Sequence, residues 1–174
     1  MLNRRNPGIA LPGRRSLLLG SAAAMGTGVL GLLTALPARA AATFEVTRTD
    51  EEWRRRLTPE QFGVLRKHNT ERPGSSPLDK ETRRGAYQCA GCDLPLYSSE
   101  TKFDSRTGWP SFWVPVAGAV GTTEERGWFG TRTEVHCRCC GGHLGHVFDD
   151  GPKPTGLRYC MNGVALTFVP AAAA

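Results

Sequence analysis

Beyond residue 40 the chain lacks an excess of charge of either sign, and that absence removes the function its overall basicity would imply. The whole sequence carries 22 Lys and Arg against 16 Asp and Glu, a formal charge of +6. Its first forty residues hold Arg4, Arg5, Arg14, Arg15 and Arg39 and no acid. Residues 41–174 therefore keep 17 of the bases and all 16 acids, too even a balance for the basic stripe of a nucleic-acid binder. An unbroken apolar run is also missing. Leu17–Leu36 is interrupted by Gly20, Ser21, Gly26, Thr27, Gly28, Gly31 and Thr34, whereas a membrane span wants about 20 predominantly apolar residues. No internal repeat or low-complexity domain is visible.

The same forty residues have the layout of an export signal. Positive charges come first, then the interrupted apolar run, then Ala38-Arg39-Ala40 as a small-x-small cleavage site. Arg14-Arg15-Ser16-Leu17-Leu18 resembles the twin-arginine signal; ordinary secretion or an uncleaved anchor are the alternatives. The expectation is a signal over residues 1–40, a linker over 41–49, one domain over 50–170, a tail over 171–174, and a periplasmic location.

Two helices are predicted first. Asp50–Leu57 places acids early and bases late, as the helix dipole favours. Thr58-Pro59-Glu60-Gln61 is a capping box with Pro at the first helical position, opening a helix to about Lys67 with Phe62 and Leu65 as its apolar pair. From Gly85 the texture changes to short β-like runs between Gly, Pro and Asp. These are Ala86–Cys89, Phe112–Val116, Trp128–Cys137, His146–Phe148, Leu157–Cys160 and Val164–Val169. Their spacing predicts a mainly β fold of antiparallel sheets, as a sandwich or open barrel.

Four of the six cysteines fall into two Cys-x-x-Cys pairs, Cys89 with Cys92 and Cys137 with Cys140. Each spacing lets two thiolates of one turn converge on a cation, and two such turns complete a tetrahedral zinc site. The 44 residues between the pairs make this a clip between distant parts of the domain. Disulfides are the alternative open to an exported protein. His143 and His146 as ligands form another, although their two-residue gap is shorter than a finger's usual three to five. Cys139 sits inside the second turn and could replace a neighbour as ligand, but the two-residue spacing prefers Cys137 and Cys140. A thiol–disulfide oxidoreductase would place its Cys-x-x-Cys near a βαβ pattern, and no such unit is visible.

Cys160 is left over, in Arg158-Tyr159-Cys160-Met161-Asn162. A leftover cysteine is commonly a small buried hydrophobe, but this one has company. His143 and His146 offer imidazoles that titrate near neutral pH, and Asn162 two residues on shares a strand face with Cys160. A nearby cation or donor is what lowers a thiol's pKa.

Three stretches carry a resemblance: Phe103-Asp104-Ser105-Arg106-Thr107-Gly108-Trp109-Pro110-Ser111-Phe112, Gly142-His143-Leu144-Gly145-His146-Val147-Phe148, and Thr155-Gly156-Leu157-Arg158-Tyr159-Cys160-Met161-Asn162. Together with the Cys-x-x-Cys pairs, and in the same order, they resemble the B-type (R-epimer) methionine sulfoxide reductases from Trp53 to Phe168. The resemblance implies two antiparallel β-sheets with short helices and a structural zinc held by Cys89, Cys92, Cys137 and Cys140, far from the catalytic centre. It implies Cys160 as nucleophile, with His143, His146 and Asn162 as acid and hydrogen-bonding groups. Trp109 would be the wall receiving the sulfoxide methyl, and Arg158 would polarise the pocket. Oxidised proteins or free methionine R-sulfoxide would be the substrates, a thioredoxin-like protein the donor, and the enzyme a monomer.

One departure matters. Many relatives have a resolving cysteine where this chain has Thr107. Two recycling routes stay open: direct reduction by an external thiol, which thiol access favours, or Cys139 as a substitute. The rival from another class is a non-catalytic zinc-ribbon module that binds a partner.

Overall fold

The computed structural model describes residues 43–127 and 130–172. The signal expected over residues 1–40, Trp128 at the head of one expected strand, and the end of the tail lie outside the described residues.

The predicted helices form. Helix α1 (Asp50–Arg56) is capped by Thr49, which exchanges hydrogen bonds with Glu52. Helix α2 (Pro59–Lys67) is capped by Thr58 and Gln61 in the same reciprocal way, so each N-terminus satisfies its otherwise orphaned amides. Residue His68 closes α2 in the left-handed conformation, φ 57°. Trp53, Phe62, Val64 and Leu65 bury the inner faces of both helices. Residues 43–49 are tied to the second cysteine turn: the Val46 amide donates to the Cys139 carbonyl at 3.0 Å, and Arg138 pairs with Glu45. No helix among the described residues is long and apolar enough to cross a membrane.

Nine strands follow among the described residues: β1 (Gly85–Cys89), β2 (Pro95–Ser98), β3 (Lys102–Phe103), β4 (Ser111–Phe112), β5 (Val120–Gly127), β6 (Gly130–Cys137), β7 (His143–Phe148), β8 (Arg158–Met161) and β9 (Leu166–Pro170). They pair antiparallel into a three-stranded sheet, β2-β1-β9, and a six-stranded sheet, β3-β4-β8-β7-β6-β5. The two antiparallel sheets with short N-terminal helices are the fold expected from the sequence. Strands β2, β3 and β5 were not expected. β5 lacks an apolar alternation because most of its residues face solvent, and β2 and β3 are too short to show one. Conversely, Phe112–Val116 is a strand only as far as Phe112, and residues 163–165 form a 3-10 turn ahead of β9.

The sheets meet through aromatic side chains. Tyr97 of β2 stacks on Phe112 of β4 at 4.3 Å, and Tyr87 of β1 meets the same ring edge-on at 4.9 Å. The buried Tyr97 hydroxyl donates to the Met161 sulfur at 3.1 Å, so its polar atom is not left unpaired. Met161 and Tyr159 thus face the core. Strand alternation turns Arg158 and Cys160 to the opposite face.

Antiparallel register then sets a row across that face. Ser111 of β4 is opposite Cys160 of β8, Cys160 is opposite His146 of β7, and His146 is opposite Glu134 of β6. Directly opposed residues hold their β-carbons about 4.5–5.5 Å apart on one face. A bulge brings His143 to the same side. Val135 pairs with Gly145 and His136 with His143, so Leu144 is an extra residue in β7. Without it, residues three apart would point to opposite faces; with it, the two imidazole centroids lie 5.4 Å apart.

Gly145 completes the bulge. A β-carbon there would sit 2.2 Å from the Cys160 carbonyl oxygen and 3.0 Å from Met161 Cα, both backbone and unable to yield. Gly145→Ala is expected to destabilise the domain by about 3 kcal/mol, the upper end for overpacking, measured by urea denaturation. Wild-type stability in the variant would contradict the bulge.

Candidate active site and four-thiol cluster

Cys89 ends β1 and Cys137 ends β6, while Cys92 and Cys140 lie on the turns that follow. Their four sulfurs lie within 4.8 Å of one another, with Cys89–Cys140 at 3.7 Å and Cys92–Cys137 at 3.5 Å. A zinc tetrahedron with sulfur at about 2.3 Å has edges of about 3.8 Å, so the donor set fits that ion. Disulfides would need sulfurs about 2.05 Å apart, and all six cysteines are free. Tight turns serve the cluster: Gly141 adopts φ +66°, and the Gly91 amide points at Cys89 Sγ at 3.4 Å. Arg56 holds the Gly91 carbonyl at 2.8 Å and Arg66 the Cys140 carbonyl at 3.0 Å, so both helices brace the turns. His143 and His146 are not among these donors; His143 groups instead with His68 and Glu134.

The leftover thiol lies elsewhere. Cys160 lines a cavity of about 310 Å³ together with Trp109, His146, Arg158, Asn162 and Thr107. A larger hollow of about 510 Å³ lies beside α2 and residues 69–77, but no cysteine lines it. Trp109 and Phe148 make the aromatic walls of the smaller one, and Trp109 is held by its indole N–H on the Glu71 carbonyl at 3.3 Å. Arg158 lies over the Phe148 ring at 4.4 Å, with two hydrogen bonds to Asp150 at 2.8 and 2.9 Å. Burial holds the Cys160 thiol above its ordinary pKa, and Thr107, Arg158 and Ser111 offset only part of that rise. Arg158 therefore supplies the positive charge that a reactive thiol requires.

His146 Nε2 lies 3.0 Å from Glu125 Oε2, which fixes the ring. His143 sits behind it, 1% exposed. Its Nδ1 lies 2.8 Å from Glu134 Oε1, its ring stacks on His68 at 4.9 Å, and its Nε2 has no partner among the described residues. Burial pushes its pKa below the ordinary value, and Glu134 opposes that shift. His68, Glu125 and Glu134 were absent from the sequence reading. Glu134 alternates with the buried Val135, a weak signal for the second face of β6; nothing local pointed to His68 or Glu125.

Asn162 was expected to share the strand face of Cys160. Strand β8 ends at Met161, yet Asn162 lines the same cavity. Its amide oxygen accepts from the Glu71 amide at 3.0 Å and its amide nitrogen donates to the Leu144 carbonyl at 3.1 Å. It ties the segment after α2 to the bulge of β7.

Cys139 is not brought to Cys160. Its carbonyl accepts from the Val46 amide, its thiol sits beside Cys92 and Cys137, and it does not line the Cys160 cavity. Thr107 does reach the thiol: its Oγ1 is 3.9 Å from Cys160 Sγ.

A cysteine-clipped pair of antiparallel sheets with one separate thiol in an aromatic-walled cleft describes a thiol protein with a braced scaffold. The chain belongs to the SelR domain family, whose model matches residues 57–170. A protein named peptide methionine sulfoxide reductase MsrB from Agrobacterium fabrum (strain C58) is 52% identical over 127 residues, 72% of this chain and 94% of the relative. Proteins of the same name from Leifsonia xyli subsp. xyli and Methanosarcina barkeri are 54% identical over 129 residues and 52% over 124. These cover 73% and 71% of this chain and 93% and 87% of the relatives.

The position of Thr107 yields a direct check. Thr107→Cys places a second sulfur where Oγ1 now lies. Oxidation of this variant with one equivalent of peroxide is expected to give an intramolecular disulfide between the introduced thiol and Cys160 on peptide mapping. Only intermolecular disulfides in the variant would contradict the placement.

Proposed function

We propose that the protein reduces methionine R-sulfoxide, chiefly in oxidised proteins, to methionine. The observation that carries this reading is the composition of the Cys160 cavity, one thiol between an aromatic wall and hydrogen-bond donors, in a chain about half identical to named sulfoxide reductases. A sulfoxide sulfur is electrophilic, but its oxygen leaves poorly unless protonated. Cys160 attacks that sulfur as the thiolate, with Arg158 opposing its rise in pKa. A protonated His146, or a water bound to it, gives a proton to the oxygen. The sulfur–sulfur bond made by the attack then breaks together with the substrate S–O bond as the protonated oxygen passes to the Cys160 sulfur, so methionine leaves and Cys160 holds the oxygen as sulfenic acid. The sulfur goes from sulfoxide to thioether as the thiol goes to sulfenic acid, so the exchange balances.

Trp109 and Phe148 receive the methyl group while the oxygen faces the donors. Exchanging the two substituents puts each in the wrong surroundings, which discriminates the epimers. His143 and Asn162 act from behind. His143 packs against His146, and Asn162 fixes the bulge that aims both rings. Two external thiols, from a thioredoxin-like donor, then reduce the sulfenic acid to thiol and water and leave as a disulfide. Cys89, Cys92, Cys137 and Cys140 hold structural zinc, whose bonds to thiolate stabilise the folded domain. Export to the periplasm is directed by the twin-arginine-like segment before Ala41.

The test is turnover of separated R and S epimers by wild type and Cys160→Ser, each checked for zinc. Wild type is expected to consume R alone, and Cys160→Ser to lose at least about a thousandfold in rate at one zinc per chain. Consumption of S alone, or activity retained in the variant, would overturn the proposal. Chelation that removes zinc is expected to unfold the domain, read by the loss of near-UV circular dichroism.

A further inference from the structure

The residue at the resolving position belongs to a chain of hydroxyls. Ser105 Oγ lies 2.8 Å from Thr107 Oγ1 and 2.7 Å from Ser111 Oγ. Ser111, fully buried, donates to the Trp109 carbonyl at 3.1 Å. At the other end Thr107 Oγ1 is 3.9 Å from Cys160 Sγ. The turn that makes this possible is local: Asp104 Oδ1 accepts from the Arg106 amide at 3.0 Å, and Arg106 takes a left-handed φ of 59°, so Ser105 and Thr107 point inward together.

Proton counting sets the direction. Each hydroxyl has one proton to donate. With the Ser111 proton on the Trp109 carbonyl, the Ser105 proton goes to Ser111, the Thr107 proton to Ser105, and the S–H of Cys160 to Thr107. Every donor is then used once. Ionisation of Cys160 inverts the demand. Thr107 turns its proton to the sulfur, Ser105 turns to Thr107, and Ser111 turns to Ser105, releasing the Trp109 carbonyl.

We propose that Thr107, Ser105 and Ser111 form a hydroxyl relay whose polarity follows the charge on Cys160, so that the chain answers the loss of a resolving thiol with a switchable donor to the thiolate. The proposal deepens the reading of Cys160 as the nucleophile and rests on it. Thr107 touches the reacting sulfur and is a catalytic residue; Ser105 acts through it as a positioning residue, and Ser111, which also faces the sulfur across the β4–β8 pair, closes the far end of the relay. Other groups facing the thiol stay fixed during the reversal: Arg158, held by Asp150 on β8's side, His146 with Glu125 behind it, and Arg132, which lines the same cavity.

The experiment is the pH profile of Cys160 alkylation by iodoacetamide in the intact zinc-loaded protein, followed on the Cys160 peptide by mass spectrometry. Thr107→Val keeps the shape and removes the hydroxyl, Ser105→Ala cuts the relay without touching the sulfur, and Thr107→Ser restores the donor. Thr107→Val and Ser105→Ala are each expected to slow alkylation at pH 7 by about three- to tenfold, the worth of one hydrogen bond, with the midpoint moved to higher pH. Thr107→Ser is expected to follow wild type. A Thr107→Val profile superimposed on wild type would overturn the proposal, as would a Ser105→Ala profile identical to wild type beside a shifted Thr107→Val. Turnover of R-sulfoxide by wild type is read alongside. If turnover is absent while the shifts persist, the enzymatic reading fails and the relay stands; turnover without the shifts gives the reverse.

Discussion

The site depends on strand register. Ser111, Cys160, His146 and Glu134 come from four strands and lie in one row because β4, β8, β7 and β6 pair residue against residue in that order. A slip of one position in β8 would send Cys160 into the aromatic core and bring Tyr159 or Met161 to the cleft. The core opposes such a slip, because Tyr97, Phe112 and Met161 already fill it and the Tyr97 hydroxyl has its partner in Met161. Packing on one face of the sheet therefore fixes the chemistry of the other.

Two further devices protect that register. The Leu144 bulge re-phases β7 so that both imidazoles face one way, and Gly145 lets β8 approach where a side chain would not fit. The four-thiol cluster joins the end of β1 to the end of β6, hence the small sheet to the large one. Four thiols crowded this closely call for a cation, since several thiolates in one buried site repel. With the cation bound, the clip contributes to folding on the scale of a structural zinc site, about 10 kcal/mol or more. The helices contribute by holding the turns, through Arg56 and Arg66, rather than by entering the cleft.

Much of this was legible in the sequence, for physical reasons that differ from element to element. The capping box at Thr58 acts within four residues and can be read directly, whereas α1 was legible through its charge order and its box at Thr49 went unread. The Cys-x-x-Cys pairs specify their own geometry, and the four sulfurs stand where the spacing puts them. The edge strand β5 escaped notice because an exposed strand has no apolar alternation to show. The phase of His143 relative to His146 was invisible, because a bulge is a property of two paired strands and not of one. Glu125 and His68 were missed for a similar reason: their partners lie 21 residues away on β7 and in the stacked ring of His143. The hydroxyls of Ser105, Thr107 and Ser111 lay in plain view, but only the turn at Arg106 reveals that they touch.

The central claim is that one sulfur, Cys160, takes the oxygen from the substrate. Reduced, zinc-loaded protein mixed with one equivalent of methionine R-sulfoxide, with no other thiol present and a sulfenic-acid trap added, addresses it in a single turnover. The account predicts one methionine formed per chain and the trap attached to Cys160 alone, with no Cys139–Cys160 bridge. Methionine formed while Cys160 stays unmodified, or the label found on Cys139 instead, would contradict it.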